Sequence, residues 1–213
     1  MNKRKQDYQR SFLIFTIAQF FMMVGLLDYG TSIKALSDWL MLFTILQLVG
    51  FILMVVASIK LYNVNRNYFH FFLTTVICFF VAILSNVGSE STEDFTIAWA
   101  RGLTISADIL LCLIYAYFFL GTKDYSHEHE ISRNVKRSKI GFIAVIAFTI
   151  VINLTVFIGS FNGIRTNYVA ATIFKYSALA MKFSMYTFMF VILVLMMNEM
   201  KKRRKKETLD ETE

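Results

Sequence analysis

The chain has 213 residues, of which 56% are hydrophobic and 17% charged, with no proline and a formal net charge of +7. The positive charge does not indicate nucleic-acid binding, because Lys and Arg stand in short blocks beside apolar stretches, where membrane orientation and anionic headgroups account for them. The absence of proline argues against a transporter built on broken helices. The composition therefore predicts an integral membrane protein with continuous helices.

Six apolar stretches divide the sequence. A helix rises about 1.5 Å per residue, so about 20 apolar residues cross a hydrocarbon core of about 30 Å. The predicted membrane spans are residues 12–29, 39–59, 68–87, 95–120, 140–161 and 168–197. We expect an all-α, six-helix transmembrane bundle with short loops over residues 1–200, followed by a basic-then-acidic tail at 201–213 with a frayed, soluble end.

The first span has an alternative interpretation as a secretory signal peptide, because Lys3, Arg4 and Lys5 precede it. The sequence that follows, at residues 26–29, contains no pattern of small residues for cleavage. We therefore expect this span to be retained. An even number of spans puts both termini on the same side of the membrane.

The distribution of Lys and Arg predicts which side that is. Most of the 22 basic residues fall in the N-terminal tail, the second and fourth connections and the C-terminal tail. The opposite side keeps only Lys34, Arg101, Arg165, Lys175 and Lys182. By the positive-inside rule both termini lie in the cytoplasm. The Phe-, Ile-, Met- and Lys-rich composition and compact loops suit the cytoplasmic membrane of a bacterium.

The connections between the spans are short. The predicted external loops cover residues 30–37, 88–94 and 160–167 and leave no external domain to capture a large ligand. The cytoplasmic connection at 121–139 is too small to fold alone, because domains below about 40 residues usually need a metal or disulfides. Any function must therefore operate within the membrane or through short loops.

The charges inside the spans are the most informative residues. Counted along the helical rise from the cytoplasmic ends of their spans, Asp108 lies about 18 Å deep and Lys182 about 22 Å deep, which is nearly one level. Arg101 and Lys175 precede Asp108 and Lys182 by seven residues, so each pair shares one helix face and leads from the outer surface inward. The sequence predicts a locally cationic entrance on the external side.

Other polar residues fall at the same predicted level. Gln47 on the second span, Asn153 on the fifth and Ser184 on the sixth lie at similar depths. A polar group in hydrocarbon without a partner costs several kcal/mol, which favours turning such side chains inward. We therefore predict a polar layer in the outer half of the bundle, with Gln47, Asp108, Asn153 and Lys182 as its members.

Two interpretations of this layer remain open at the level of sequence. In the structural one, Asp108 pairs with Lys182 and the ions set the register of the helices, while Arg101 reaches a lipid phosphate or Glu93. In the functional one, an outward-facing cavity binds a small anion, a peptide or a lipid headgroup.

The sequence offers little support for enzymatic chemistry. His70 and Cys78 are about 12 Å apart along one predicted helix, too far for a hydrogen bond. The run at residues 126–130 contains two His and two Glu, but no further defined segment supplies the ligands that would complete a metal site. Cys78 and Cys112 fall inside spans, where cysteine normally packs as a small hydrophobe. We predict no catalytic residue, metal or cofactor.

We therefore expect a non-enzymatic membrane protein with an outer-leaflet polar pocket, which binds or transports a small anionic or lipid-like ligand. Its candidate residues are Asp108, Lys182, Arg101, Lys175, Gln47 and Asn153, as a ligand site or a structural ion pair. The alternative is an accessory, sensory or immunity-type subunit that acts by contacting another membrane protein. The expected partners are the bilayer with its anionic headgroups and, under the alternative, a second membrane protein, but no nucleic acid.

Overall fold

The structure, a computed structural model, describes residues 3–26, 40–89, 94–159 and 167–210, and within them the side chains of 7–26, 42–81, 84, 105–159 and 167–203. Apart from a few flanking residues, the predicted external loops fall outside these ranges. Lys34 and Arg165 also lie outside the described residues.

Six α-helices make up the described part of the chain. They are α1 (Lys3–Gly25), α2 (Leu40–Leu61), α3 (Arg66–Ser89), α4 (Asp94–Glu128), α5 (Ser132–Gly159) and α6 (Tyr168–Asp210). Each contains most of one predicted span. The prediction of an all-α fold with six helices is therefore confirmed.

Four of these helices are long and apolar enough to cross a membrane. Within the described residues they are 42–61, 105–128, 132–159 and 168–203, and α3 supplies a shorter apolar helix at 66–81. Many large apolar side chains on the outside of the bundle are exposed, among them Phe80, Ile143 and Phe157. An apolar surface of this extent is unusual for a soluble protein but suits contact with lipid tails. The helices thus indicate a membrane location.

The bundle closes on itself. Each helix packs against the next along the chain, and α6 packs against α1. At one end Tyr8 of α1, Tyr68 of α3 and Tyr125 of α4 lie together, and we call this the tyrosine end. The start of α6 lies at the opposite end.

Helix α1 supplies much of the core. Tyr8, Phe12, Phe15 and Met22 are almost fully buried, and their spacing places them on one face of the helix. The Phe15 ring stacks on Phe118 of α4 with centroids 3.9 Å apart, and Phe12 lies 5.4 Å from the same ring. Helix α1 therefore contacts α4 across the bundle as well as its neighbours α2 and α6.

Asn65 begins α3 and joins it to α4. Its side-chain Oδ1 accepts a hydrogen bond from the backbone N–H of Tyr68 at 3.0 Å, which caps one of the unpaired donors of the first turn. Its Nδ2 donates to the carbonyl oxygen of Gly121 at 2.9 Å. One side chain thus sets both the start of α3 and its position against α4.

Helices α4 and α5 extend into the connection predicted at residues 121–139, because α4 continues to Glu128 and α5 begins at Ser132. Glu130 adopts a positive φ of 55°, the left-handed conformation that often ends a helix. The N–H of Ile131 donates to the carbonyl of Ser126 at 2.8 Å and closes the turn. The charged residues that end the apolar stretch do not end the helix.

Helix α6 also continues beyond its predicted span. It remains helical to Asp210, so most of the predicted basic-then-acidic tail at 201–213 continues the helix. At about 1.5 Å per residue, the part beyond residue 197 adds roughly 20 Å of helix. The basic block at 201–206 therefore lies on a continuation of α6.

Candidate functional site

Asp108 on α4 and Lys182 on α6 form an ion pair. The Lys182 ammonium Nζ lies 3.0 Å from Oδ1 and 2.9 Å from Oδ2 of Asp108. Each side chain keeps about a quarter of its surface exposed, 26% for Asp108 and 27% for Lys182. Deeper in the bundle Tyr115 and Tyr186 bring the same two helices together, with ring centroids 6.1 Å apart. Because a charge in hydrocarbon must find a partner, this two-oxygen contact stabilises both ions.

Of the other two predicted members of the polar layer, Asn153 forms a hydrogen bond within its own helix and Gln47 packs against α1. The Asn153 amide donates to the carbonyl of Thr149 at 2.8 Å, on its own helix. Gln47 packs against α1 so closely that a Cβ added to Gly25 would lie 2.7 Å from the Gln47 Cβ. Arg101 belongs to α4, but its side chain lies outside the described ones. Among the described side chains, the ion pair is thus the part of the predicted layer that forms.

A groove of about 320 Å³ lies between α5 and α6, towards the end opposite the tyrosine end. Helix α5 contributes Thr155, Val156 and Gly159 to its lining. The residues contributed by α6 recur every three or four positions, so that one face of the helix forms a wall. They are Ala171, Phe174, Lys175, Ala178, Leu179 and Lys182. We call this cavity the α5–α6 groove.

Small residues create the space in the α5–α6 groove. A Cβ added to Gly159 would lie 2.9 Å from the Cβ of Phe174, so glycine allows the two helices to approach at this point. Ala171 and Ala178 do not fill the volume that a larger side chain would occupy on the same wall. The groove is therefore bounded where Gly159 meets Phe174 and open beside the small side chains of α6.

The polar groups of the groove differ in what they can offer a ligand. Lys175 is exposed, and the described residues include no carboxylate within ion-pair distance of it. Lys182 lies about 10 Å farther along the helix axis and is already paired with Asp108. The Thr155 hydroxyl donates to the carbonyl of Val151 at 2.8 Å. The groove lining therefore has one exposed cation, Lys175, and a second, Lys182, that is neutralised by Asp108.

Polar contacts fasten α5 to α6 at the tyrosine end. The Asn134 amide donates to the carbonyl of Met196 at 3.2 Å, and Arg137 Nη1 donates to the carbonyl of Leu195 at 2.8 Å. Glu199 lies 3.8 Å from the Arg137 guanidinium. The two helices are thus held together at this end by polar contacts.

The chain matches no protein-family model, no curated protein and no solved structure. Its function is therefore inferred from the groove and the ion pair alone.

A line of polar side chains on α4 was not predicted from the sequence. Asp108, Tyr115 and Thr122 follow one another at seven-residue intervals and so share one face. The Tyr115 hydroxyl donates to Oε1 of Gln19 on α1, and the Thr122 hydroxyl lies 2.7 Å from that of Tyr68 on α3. The seven-residue spacing is the signal that could have revealed this line. It connects α4 to three other helices in turn.

At the tyrosine end the line finishes in a buried aromatic cluster. The hydroxyls of Tyr8 and Tyr68 share a hydrogen bond of 2.9 Å, and the Tyr8 ring stacks on Tyr125 with centroids 3.6 Å apart. The Tyr8 phenol, already neutral at physiological pH, has a pKa that burial raises well above its ordinary value. The cluster joins α1, α3 and α4 without burying a charge.

The histidine-rich run at residues 126–130 lies at the end of α4. The His129 ring stacks on Tyr125 at 4.1 Å, and its Nδ1 lies 2.9 Å from the carbonyl oxygen of Tyr125. Within the described residues, no group of three or more His, Cys, Asp or Glu side chains could hold a metal ion. The run therefore offers no metal-binding group within the described residues.

Proposed function

We propose that the protein is a non-enzymatic, six-span membrane protein with both termini in the cytoplasm, and that it binds an anionic, lipid-like ligand in the α5–α6 groove. The observation that carries this proposal is a single exposed lysine, Lys175, in the lining of a groove with mainly apolar walls. An amphiphile with one anionic headgroup complements this arrangement. Its head pairs with Lys175, and its chain lies against Val156, Phe174 and Leu179.

The volume of the groove favours a ligand with a single chain. Pockets that hold small molecules range from about 300 to 1,000 Å³, and the groove, at about 320 Å³, lies at the lower limit. A two-chain phospholipid would leave much of its second chain outside. The apolar walls also favour an amphiphile over a small hydrophilic anion, which would lose its hydration without gaining hydrogen bonds in return.

Charge supports an outer-leaflet position for the groove. Arg133, Arg137, Lys201 and Lys202 all lie at or beyond the tyrosine end, and the positive-inside rule assigns that end to the cytoplasm. The groove then opens in the outer half of the membrane. A membrane-borne ligand reaches it sideways from the lipid phase, past exposed residues such as Val156 and Ile173.

Ligand binding can be tested by native mass spectrometry of the protein in a neutral maltoside detergent. Three probes separate the ligand classes: lysophosphatidylglycerol, which has one chain and an anionic head; lysophosphatidylcholine, which has one chain and no net charge; and glycerol phosphate, which is an anion without a chain. We expect saturable binding of one lysophosphatidylglycerol, weaker binding of lysophosphatidylcholine and none of glycerol phosphate.

Paired variants locate the binding. Ala178→Leu fills the groove and should abolish binding, whereas Ala180→Leu, on the exposed side of the same helix, should leave it unchanged. Lys175→Gln should weaken binding about tenfold, the effect of losing one partly exposed charged contact. Lys201→Gln makes the same change at the other end of α6 and should have no effect.

Binding that resists Ala178→Leu would overturn the proposed site, as would equal affinity for the two lysophospholipids. Binding of glycerol phosphate as tight as that of lysophosphatidylglycerol would assign the groove to small anions instead. No binding of any probe would overturn the proposal and favour the alternative role, in contact with another membrane protein.

A further inference from the structure

Lys182 takes part in both the α5–α6 groove and the ion pair with Asp108. It lines the far end of the α5–α6 groove, and its ammonium contacts both carboxylate oxygens of Asp108. Asp108 itself is not part of the groove lining. A residue on α4 therefore determines how much positive charge α6 presents to a groove formed by α5 and α6.

We infer that Asp108 is a specificity-determining residue, which restricts the groove to ligands with a single anionic end. By neutralising Lys182 it makes the far end of the groove suitable for the apolar end of a chain rather than for a second anion. This inference rests on the proposed function and adds to it the charge pattern of the ligand.

The geometry of α6 explains the restriction. Lys175 and Lys182 are seven residues apart, so they lie on one face and are separated by about 10 Å along the helix axis. If both ammonium groups were available, the groove would suit a chain with an anion at each end. With Asp108 in place, a second anion at the far end would have to compete with a carboxylate that already contacts Lys182 through both oxygens. Only the Lys175 end then attracts a negative group.

Decanoate and decanedioate provide a matched pair of probes, because they have the same chain length and differ only in the second carboxylate. Each is titrated against the protein preloaded with lysophosphatidylglycerol, and its displacement is followed by native mass spectrometry. For the unmodified protein we expect decanoate to displace the lipid at a concentration about tenfold lower than decanedioate does, the ratio expected for one unfavourable charge.

The variant Asp108→Asn should reverse or abolish that preference, because Lys182 becomes available to the second carboxylate. Asp108→Ser removes the same charge with a smaller side chain and should give the same result, which provides a second route if the first variant does not fold. The double variant Asp108→Asn with Lys182→Gln again has no net charge at the far end, so it should restore the preference for decanoate.

The ratio of the concentrations at which the two probes displace the lipid distinguishes a change in specificity from damage to the fold. If Asp108 had a purely structural role, its substitution would weaken the binding of both probes equally and leave this ratio unchanged. That result would overturn the inference. Failure of the unmodified protein to bind lysophosphatidylglycerol at all would instead overturn the proposed function. An unchanged ratio in the presence of lysophosphatidylglycerol binding contradicts only the role of Asp108.

Discussion

Lys182 on α6 contacts both carboxylate oxygens of Asp108 on α4 and also lines the groove that α6 forms with α5. A charged contact between α4 and α6 therefore reaches into the lining of the α5–α6 groove. The ion pair thus contributes both to the contact between α4 and α6 and to the charge of the groove lining. Variants of the pair should consequently affect stability and ligand preference together.

The ion pair should contribute measurably to stability. Asp108→Asn leaves Lys182 without its partner, and we expect the free energy of unfolding to fall by about 2 kcal/mol, less than for a fully buried pair because both side chains are a quarter exposed. In the double variant Asp108→Asn with Lys182→Gln, the free energy of unfolding should fall by less than the sum of the decreases in the two single variants. Denaturant unfolding of the four proteins in maltoside detergent measures this coupling.

Lys175→Gln is the control for that cycle, because it removes a lysine from the same face of α6 without breaking an ion pair described in the structure. We expect its free energy of unfolding to change by no more than about 0.5 kcal/mol, as for most surface substitutions. Strict additivity of the Asp108 and Lys182 variants would show that the contact contributes nothing to folding.

The capping residue Asn65 should be more important than its position in a short connection suggests. Asn65→Ala removes both the cap on α3 and the bond to Gly121, and we expect a loss of about 2 kcal/mol in unfolding free energy. Asn198→Ala makes the same change at an exposed position on α6 and should have little effect. Equal losses in the two variants would contradict the dual role of Asn65.

Glu130 is a position where substitution should stabilise the protein. Its φ of 55° is unfavourable for a residue with a side chain, and glycine there should raise the free energy of unfolding by about 1 kcal/mol. Glu128→Gly, two residues earlier and still within α4, should lower it instead. Thermal unfolding of the two variants compares them directly, and a loss of stability in Glu130→Gly would contradict the account of this turn.

Much of the fold was predictable because the hydropathy pattern and the helical rise act locally. The second span, 39–59, and the sixth, which begins at residue 168, agree closely with α2 and α6. Depth counting also placed Asp108 and Lys182 at one level, and these two side chains are in contact. The extensions of α4 to Glu128 and of α6 to Asp210 were missed because charged residues end an apolar stretch without ending a helix.

The details of the site were less predictable, because depth along a helix does not reveal which way a side chain points. Asn153 lies near the predicted level but satisfies its amide with the Thr149 carbonyl of its own helix, so it has no need to face the bundle interior. The groove depends on the close approach of Gly159 to Phe174 and on the small residue Ala178. Such contacts between helices leave no periodic signal in the sequence.

The orientation of the bundle can be tested with single cysteines. Tyr168 and Ser132 are exposed residues at opposite ends of the bundle. In a background without Cys78 and Cys112, Tyr168→Cys should react with a membrane-impermeant maleimide in intact cells. Ser132→Cys should react only after the membrane is opened. The reverse labelling pattern would contradict the cytoplasmic position of the termini.

Photo-crosslinking tests most directly whether the α5–α6 groove holds an anionic single-chain amphiphile. A lysophosphatidylglycerol with a photoreactive group in its chain is bound to the protein in neutral phosphatidylcholine nanodiscs, irradiated, and its adducts are mapped by peptide mass spectrometry. We predict adducts concentrated at residues 155–159 and 174–179, and their loss in Ala178→Leu but not in Ala180→Leu. Adducts spread evenly over the lipid-facing residues, or unchanged by Ala178→Leu, would contradict a binding site in the groove.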